Sequence, residues 1–205
     1  MHIISEDIVA LDALAVRAST DLVGRARPAD MARPTPCADW TLHGLISHMA
    51  AQHYGFAAAA AGDGDPARWR PRRLGSDPAA DYRAAAQTVL AAFAAPGVMD
   101  RRFPLPGFAA GPDFPARQAV SFHFVDYVVH SWDVARSLGL EPDFPGEVLE
   151  AALRVAEAVP EGDARLAPGA AFAPAVARPG GPLLDQVVAV LGRAPGWKPP
   201  GPPEG

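Results

Sequence analysis

Four side chains able to bind a cation or carry a proton lie close together in one apolar segment. They are His123, Asp126, His130 and Asp133, within SFHFVDYVVHSWDVARSLG, Ser121 to Gly139. At about 100° per residue, Asp126 and His130 stand one helical turn apart on one face, with His123 and Asp133 flanking them on the same side. Their neighbours Phe122, Phe124, Val125, Val128, Val129, Trp132 and Val134 are apolar, so this polar face is expected to point into an interior cavity. Imidazoles and carboxylates buried together cost several kcal/mol unless something pairs with them, and a divalent cation is the partner that suits the whole set. Two ligands one turn apart are aligned by the backbone, so a third from another helix completes a site. The sequence offers His48 for that position. The H-E-x-x-H pattern of metalloproteases is absent, because Phe124 rather than a glutamate follows His123.

The elements that must position these residues read as helices. Apolar residues at Ile4, Ile8, Leu11, Ala15, Ala18 and Leu22 predict a first amphipathic helix over Ile4 to Arg25. Pro28, Pro34 and Pro36 then interrupt the pattern, and PTPCADW reads as an ordered loop. Thr41 is a fitting N-cap for a second helix with an apolar stripe of Leu42, Leu45, Ile46, Met49 and Phe56. Asp77-Pro78 opens a third, which Pro96-Gly97 stops. Residues 97 to 115 mix prolines and glycines with Phe103, Leu105, Phe108 and Phe114, as a packed loop or short hairpin over the site would. The fourth helix carries the polar face and ends at Gly139. A fifth follows Pro145 through Val159, an extended Ala/Pro/Gly stretch comes next, and a short last helix covers Leu183 to Leu191. The expected architecture is all-α, with an extra short C-terminal helix and an extended tail. Residues 1–197 are read as one domain and 198–205 as a disordered tail.

Several function classes are excluded by composition. A net charge of −5 over 205 residues leaves no basic stripe to replace counterions on nucleic acid. The one basic cluster, Arg68, Arg70, Arg72 and Arg73 around Trp69, reads as a solvated loop. A single cysteine, Cys37, permits no internal disulfide, and the acidic N-terminal MHIISEDIV lacks the pattern of a signal peptide. With no run of about twenty uncharged apolar residues, the expectation is a soluble cytoplasmic protein with no membrane partner.

TPCADWTLHGLISHM, then HFVDYVVHSWDVARSLG, then FAPAV and LLDQVVAVLGRAPGW together resemble one family: metal-binding proteins related to the N-terminal domain of mycothiol-dependent maleylpyruvate isomerase. These sit within the broader DinB-like four-helix-bundle superfamily, and the resemblance runs from about residue 8 to Trp197. It implies a four-helix bundle for the longer helices and a metal held by His48, in the W-T-x-x-x-L-x-x-H block, by Asp126 at the middle position and by His130 last. The isomerase resembled here has glutamate at the middle position and other relatives histidine, so aspartate alters geometry and metal preference. His123 is a reserve ligand or an outer partner, and Asp133 is placed to accept the second ring N–H of His130. Cys37 is a remote fourth candidate. Trp40 and Trp132 read as core packing, His53 as a surface or core histidine, and His43 and His2 as exposed.

Two imidazoles and one carboxylate leave coordination positions open, the pattern of a catalytic site. Zinc is the first choice, with nickel, iron or manganese compatible. The resemblance implies a low-molecular-weight thiol such as mycothiol as cosubstrate, its sulfur presented to an electrophile by a thiol S-transferase or isomerase-like enzyme. Metal-dependent hydrolysis and non-catalytic binding of metal or a small ligand are the alternatives. A small-molecule substrate is the expected partner, and a homodimer is compatible with the sequence.

Overall fold

The computed structural model describes residues 7–37, 40–106, 113–166, 170–177 and 180–199. Four long helices form the bundle: α1 (Ile8–Val23), α2 (Leu42–Ala60), α3 (Pro78–Phe93) and α4 (Ala116–Leu138). Three of them start at a capping side chain. The Asp7 carboxylate accepts from the backbone N–H groups of Val9 and Ala10, Thr41 Oγ1 accepts from Gly44, and Asp77 accepts from Ala80 with Pro78 in the first turn. α4 ends at Gly139, whose φ of +72° is the left-handed turn that glycine adopts without strain. Helix α1 packs on α3 and α4, and α2 packs on the same two, which makes a closed ring of four. The fourth helix is buried along most of its length, as its near-continuous apolar sequence requires; Phe124, Tyr127 and Trp132 are fully enclosed.

Between α3 and α4 the chain forms a small antiparallel hairpin, β1 (Arg102–Pro104) with β2 (Asp113–Pro115), in which Phe103 faces Phe114 and both are buried. This resolves the two readings of residues 97 to 115 in favour of the hairpin; its tip, with Phe108, lies outside the described residues. Ile4 and His2 also lie outside them; the helix expected from Ile4 begins instead at Ile8, because Asp7 is extended and caps its first turn.

Two shorter helices cover the end of the bundle. α5 (Gly146–Glu157) packs on α4 and α6 (Leu183–Val190), and α6 also reaches α4. Arg165 ties them together: its guanidinium donates to the carbonyls of Val159 and Pro160 after α5 and of Val190 at the end of α6. The segment between α5 and α6 has no regular element where it is described beyond a short turn at Asp163–Arg165, in line with its Ala/Pro/Gly composition. Lys198 and Pro199 are the last described residues of the expected tail. No helix among the described residues is long and apolar enough to cross a membrane.

Candidate metal centre

His48 on α2 meets Asp126 and His130 on α4 where those helices face one another. One donor atom from each lies within 4.8 Å of the others. His130 Nε2 is 3.4 Å from Asp126 Oδ1, and the two imidazoles stand edge to face with centroids 5.4 Å apart. The His130 side chain is 4% exposed and that of Asp126 18%, so the cluster opens to solvent on the Asp126 side. Trp40, half-buried, lies 4.3 Å from His48 and forms one wall, so it is a component of the site rather than core packing alone.

The loop before α2 is braced to present Trp40 there. Thr35 Oγ1 donates to the carbonyls of Cys37 and Trp40, Pro34 pairs with Thr41 in a single antiparallel bridge, and the N–H groups of Leu42 and His43 bond back to Arg33 and Met31. Arg33 also donates to the carbonyl of Ser137, anchoring the loop to the last turn of α4. Ala38 and Asp39 of this loop lie outside the described residues; these bonds among the others hold Trp40 against His48.

His130 is held at its other nitrogen too. Its Nδ1–H donates to Asp133 Oδ2 at 2.9 Å, as expected for an acid three residues on. Although burial opposes charge on this ring, Asp126 first and then the bonds to Asp133 and Cys37 lift His130 to about 10. His48 moves the other way: burial and then the nearby His130 lower it to about 4, so its imidazole is neutral with a free lone pair at neutral pH. Asp133 is fully buried, and burial disfavours its charge. The bond from His130 and the Arg193 guanidinium outweigh that and hold the carboxyl below its ordinary range.

Arg193, which follows α6, was not singled out from the sequence. Its Nε donates to Asp133 Oδ1 at 3.1 Å and one terminal nitrogen to Oδ2 at 3.0 Å. That same nitrogen lies 2.7 Å from Cys37 Sγ, and the thiol in turn is 3.5 Å from Asp133 Oδ2. Cys37 therefore sits behind His130 beside Arg193, grouped with His130 and Asp133 rather than with His48 and Asp126. The sequence signal for Arg193 was a cation immediately after the helix stop Gly192, in the block LGRAPGW.

His123 does not join the cluster. It is fully buried on the stripe it shares with Tyr127, and there it bonds Asp12 of α1 through Nδ1 at 2.6 Å and His53 of α2 through Nε2 at 3.1 Å. His53 continues to Tyr82 of α3 at 3.3 Å, and Tyr82 to Ser19 of α1 at 2.7 Å. One polar chain thus links all four bundle helices through the core, and His53 is a core histidine. The signal for it was in α1, where the polar Asp12 and Ser19 share a face with Ile8 and Ala15. His43 is half-buried rather than exposed. Arg68, Arg70, Arg72 and Arg73 are exposed, as read, while Trp69 between them packs on Phe56.

The sequence matches the family model of the mycothiol maleylpyruvate isomerase N-terminal domain over residues 13–135. Two uncharacterized proteins of Mycobacterium tuberculosis, from strain CDC 1551 / Oshkosh and strain ATCC 25618 / H37Rv, are each 32% identical over 173 residues, which is 84% of this chain and 90% of theirs. Two solved structures share the fold: mycothiol-dependent maleylpyruvate isomerase and a histidine-to-alanine variant of it. Their TM-scores are 0.58 and 0.59 at 17% identity, over 75% of this chain and 68% of theirs.

Proposed function

The chain belongs to the mycothiol maleylpyruvate isomerase N-terminal domain family, and on that premise we propose that it binds a divalent metal and uses a low-molecular-weight thiol, mycothiol or a similar one, in a transfer or isomerisation reaction. The observation that carries this reading is the convergence of His48, Asp126 and His130 from two helices within ligating distance of one another. The donor set fits a cation. His48 offers a neutral nitrogen, Asp126 a carboxylate oxygen, and His130 an Nε2 aimed at Asp126 while its Nδ1–H is engaged by Asp133. Two nitrogens and one oxygen suit zinc first, and nickel, iron or manganese also.

A divalent ion there would act as a Lewis acid, lowering the pKa of a thiol so that it is presented as thiolate to an electrophilic substrate. The residues around it do the rest. Asp133 fixes the ring of His130 and neutralises charge behind it. Trp40 walls the side of His48 and leaves the Asp126 side open for a small molecule to enter. Family membership favours the thiol over a water nucleophile, which would make the same centre a hydrolase.

The test is elemental analysis of untagged protein prepared without chelator, followed by thiol titration of the cobalt form. Roughly one ion per chain is expected, lost in both His48→Ala and His130→Ala, with a sulfur-to-metal charge-transfer band when mycothiol is added to the wild type. Unchanged metal content in both variants would refute the ligand assignment, and a cobalt spectrum blind to thiol would refute thiol use.

A further inference from the structure

We propose that Arg193 is a positioning residue of this centre, orienting His130 through Asp133; the proposal rests on the metal-binding reading above. Asp133 Oδ2 accepts from His130 Nδ1, and a carboxylate turns readily about its terminal torsion unless both oxygens are held. Arg193 holds both, with Nε on Oδ1 and a terminal nitrogen on Oδ2. This fork fixes the carboxylate plane, and the carboxylate plane fixes the imidazole. His130 Nε2 is then directed at the space between Asp126 and His48, where a cation would take the place of its proton. A lysine could supply the charge but only one point of attachment.

The backbone around Arg193 is built to deliver it. Its N–H bonds to the carbonyl of Val188 at 2.8 Å, closing the end of α6. Gly192 before it has φ +81°, and a Cβ there would lie 2.6 Å from the carbonyl oxygen of Ala173. Only glycine fits, so the chain turns sharply and sends the guanidinium inward, where Arg193 is 7% exposed. Trp197 and Pro195 continue the anchorage: the N–H of Trp197 bonds to Ala194 and the Pro195 carbonyl accepts from Arg136 of α4. Arg193 lies outside residues 13–135, so the site is completed by a segment beyond the stretch that defines the family match.

Arg193→Lys and Arg193→Gln in the full chain test this, with circular dichroism to confirm the fold of each. Two readouts are taken. In metal-free protein, the His130 Nδ1–H proton resonance reports the bond to Asp133; in metal-loaded protein, chelator competition and the cobalt absorption spectrum report ligand geometry. The expected result is that folded Arg193→Lys loses or shifts the Nδ1–H resonance, weakens metal affinity by about tenfold to a hundredfold and alters the cobalt spectrum. If the wild type proves to bind no metal, the function proposed above fails, yet the Nδ1–H resonance still decides the role of Arg193. A resonance unchanged in both variants overturns the proposal, as do metal affinity within about twofold of wild type and an unchanged cobalt spectrum. Should Arg193→Gln fail to fold, Arg193→Lys alone decides.

Discussion

His123 and His130 occupy the same helix, yet one is locked into the core and the other faces a site, and the difference lies in what each ring nitrogen meets. Asp12 accepts from one nitrogen of His123 and His53 occupies the other, whereas His130 has Asp133 on one side and the partly exposed cluster with Asp126 and His48 on the other. Asp12 is fully enclosed and its Oδ2 has no hydrogen-bond partner among the described residues, and burial raises its pKa despite the His123 contact. Replacing Asp12 with alanine strands the Nδ1–H of His123 and should cost about 1–3 kcal/mol in urea unfolding. Asp12→Asn, which keeps an acceptor oxygen, should cost less. Equal losses in the two would mean that the bond to His123 is not what Asp12 contributes. The pairing of Asp126 with His130 and the role of Asp133 could be read from helical spacing, since i+3 and i+4 neighbours meet in any helix. The partners of His123 could not, because they come from other helices and depend on how α1 and α2 are rotated in the bundle.

Helices α1 to α6 follow closely from capping residues and apolar periodicity, and their ends fall near the prolines and glycines that mark them. Contacts between elements are less legible. Gly55, in the middle of α2, shows no backbone reason to be glycine; a Cβ there would lie 2.4 Å from the ring of Trp69, which the turn Pro66–Trp69 lays across the helix. Gly55→Ala should push that turn away and cost about 1–3 kcal/mol. In a double-mutant cycle, Trp69→Leu should recover part of this loss; additive effects would show that the two residues do not meet. From the sequence, Trp69 is simply an aromatic among arginines. The loop at PTPCADW illustrates the same limit, since its prolines announce an ordered segment but not that Trp40 would be carried against His48.

Across the whole molecule, the imidazoles pull stability in opposite directions with pH. Burial, followed by neighbouring imidazole charge, holds His48 at about 4 and His53 well below 6.5, so below about pH 6.5 the unfolded chain takes up protons that the folded one refuses. Each such group removes ~1.4 kcal/mol per pH unit as the pH falls toward its folded value. His130, raised to about 10, does the reverse: its contribution is complete below about 6.5 and is lost as the pH rises toward 10. In metal-free protein the combined histidine contribution should therefore peak near pH 6.5. Melting temperatures from pH 5 to 9 check this: His53→Gln should flatten the acid limb and His130→Gln the alkaline limb, and limbs unaffected by these changes would count against the assignment. The bundle was legible as a whole because four helical segments, each with an apolar face, can bury those faces only against one another. The contribution of the C-terminal segment was not, because no periodicity links Arg193 to Asp133. That separation also bears on the birth of the protein. The sixty residues from Val134 to Arg193 take about 3–12 s to synthesise. For that interval the nascent bundle holds an aspartate without its guanidinium, so the centre matures only after the polypeptide around it has been made, and a ribosome stalled in between would display helices with an unfinished site.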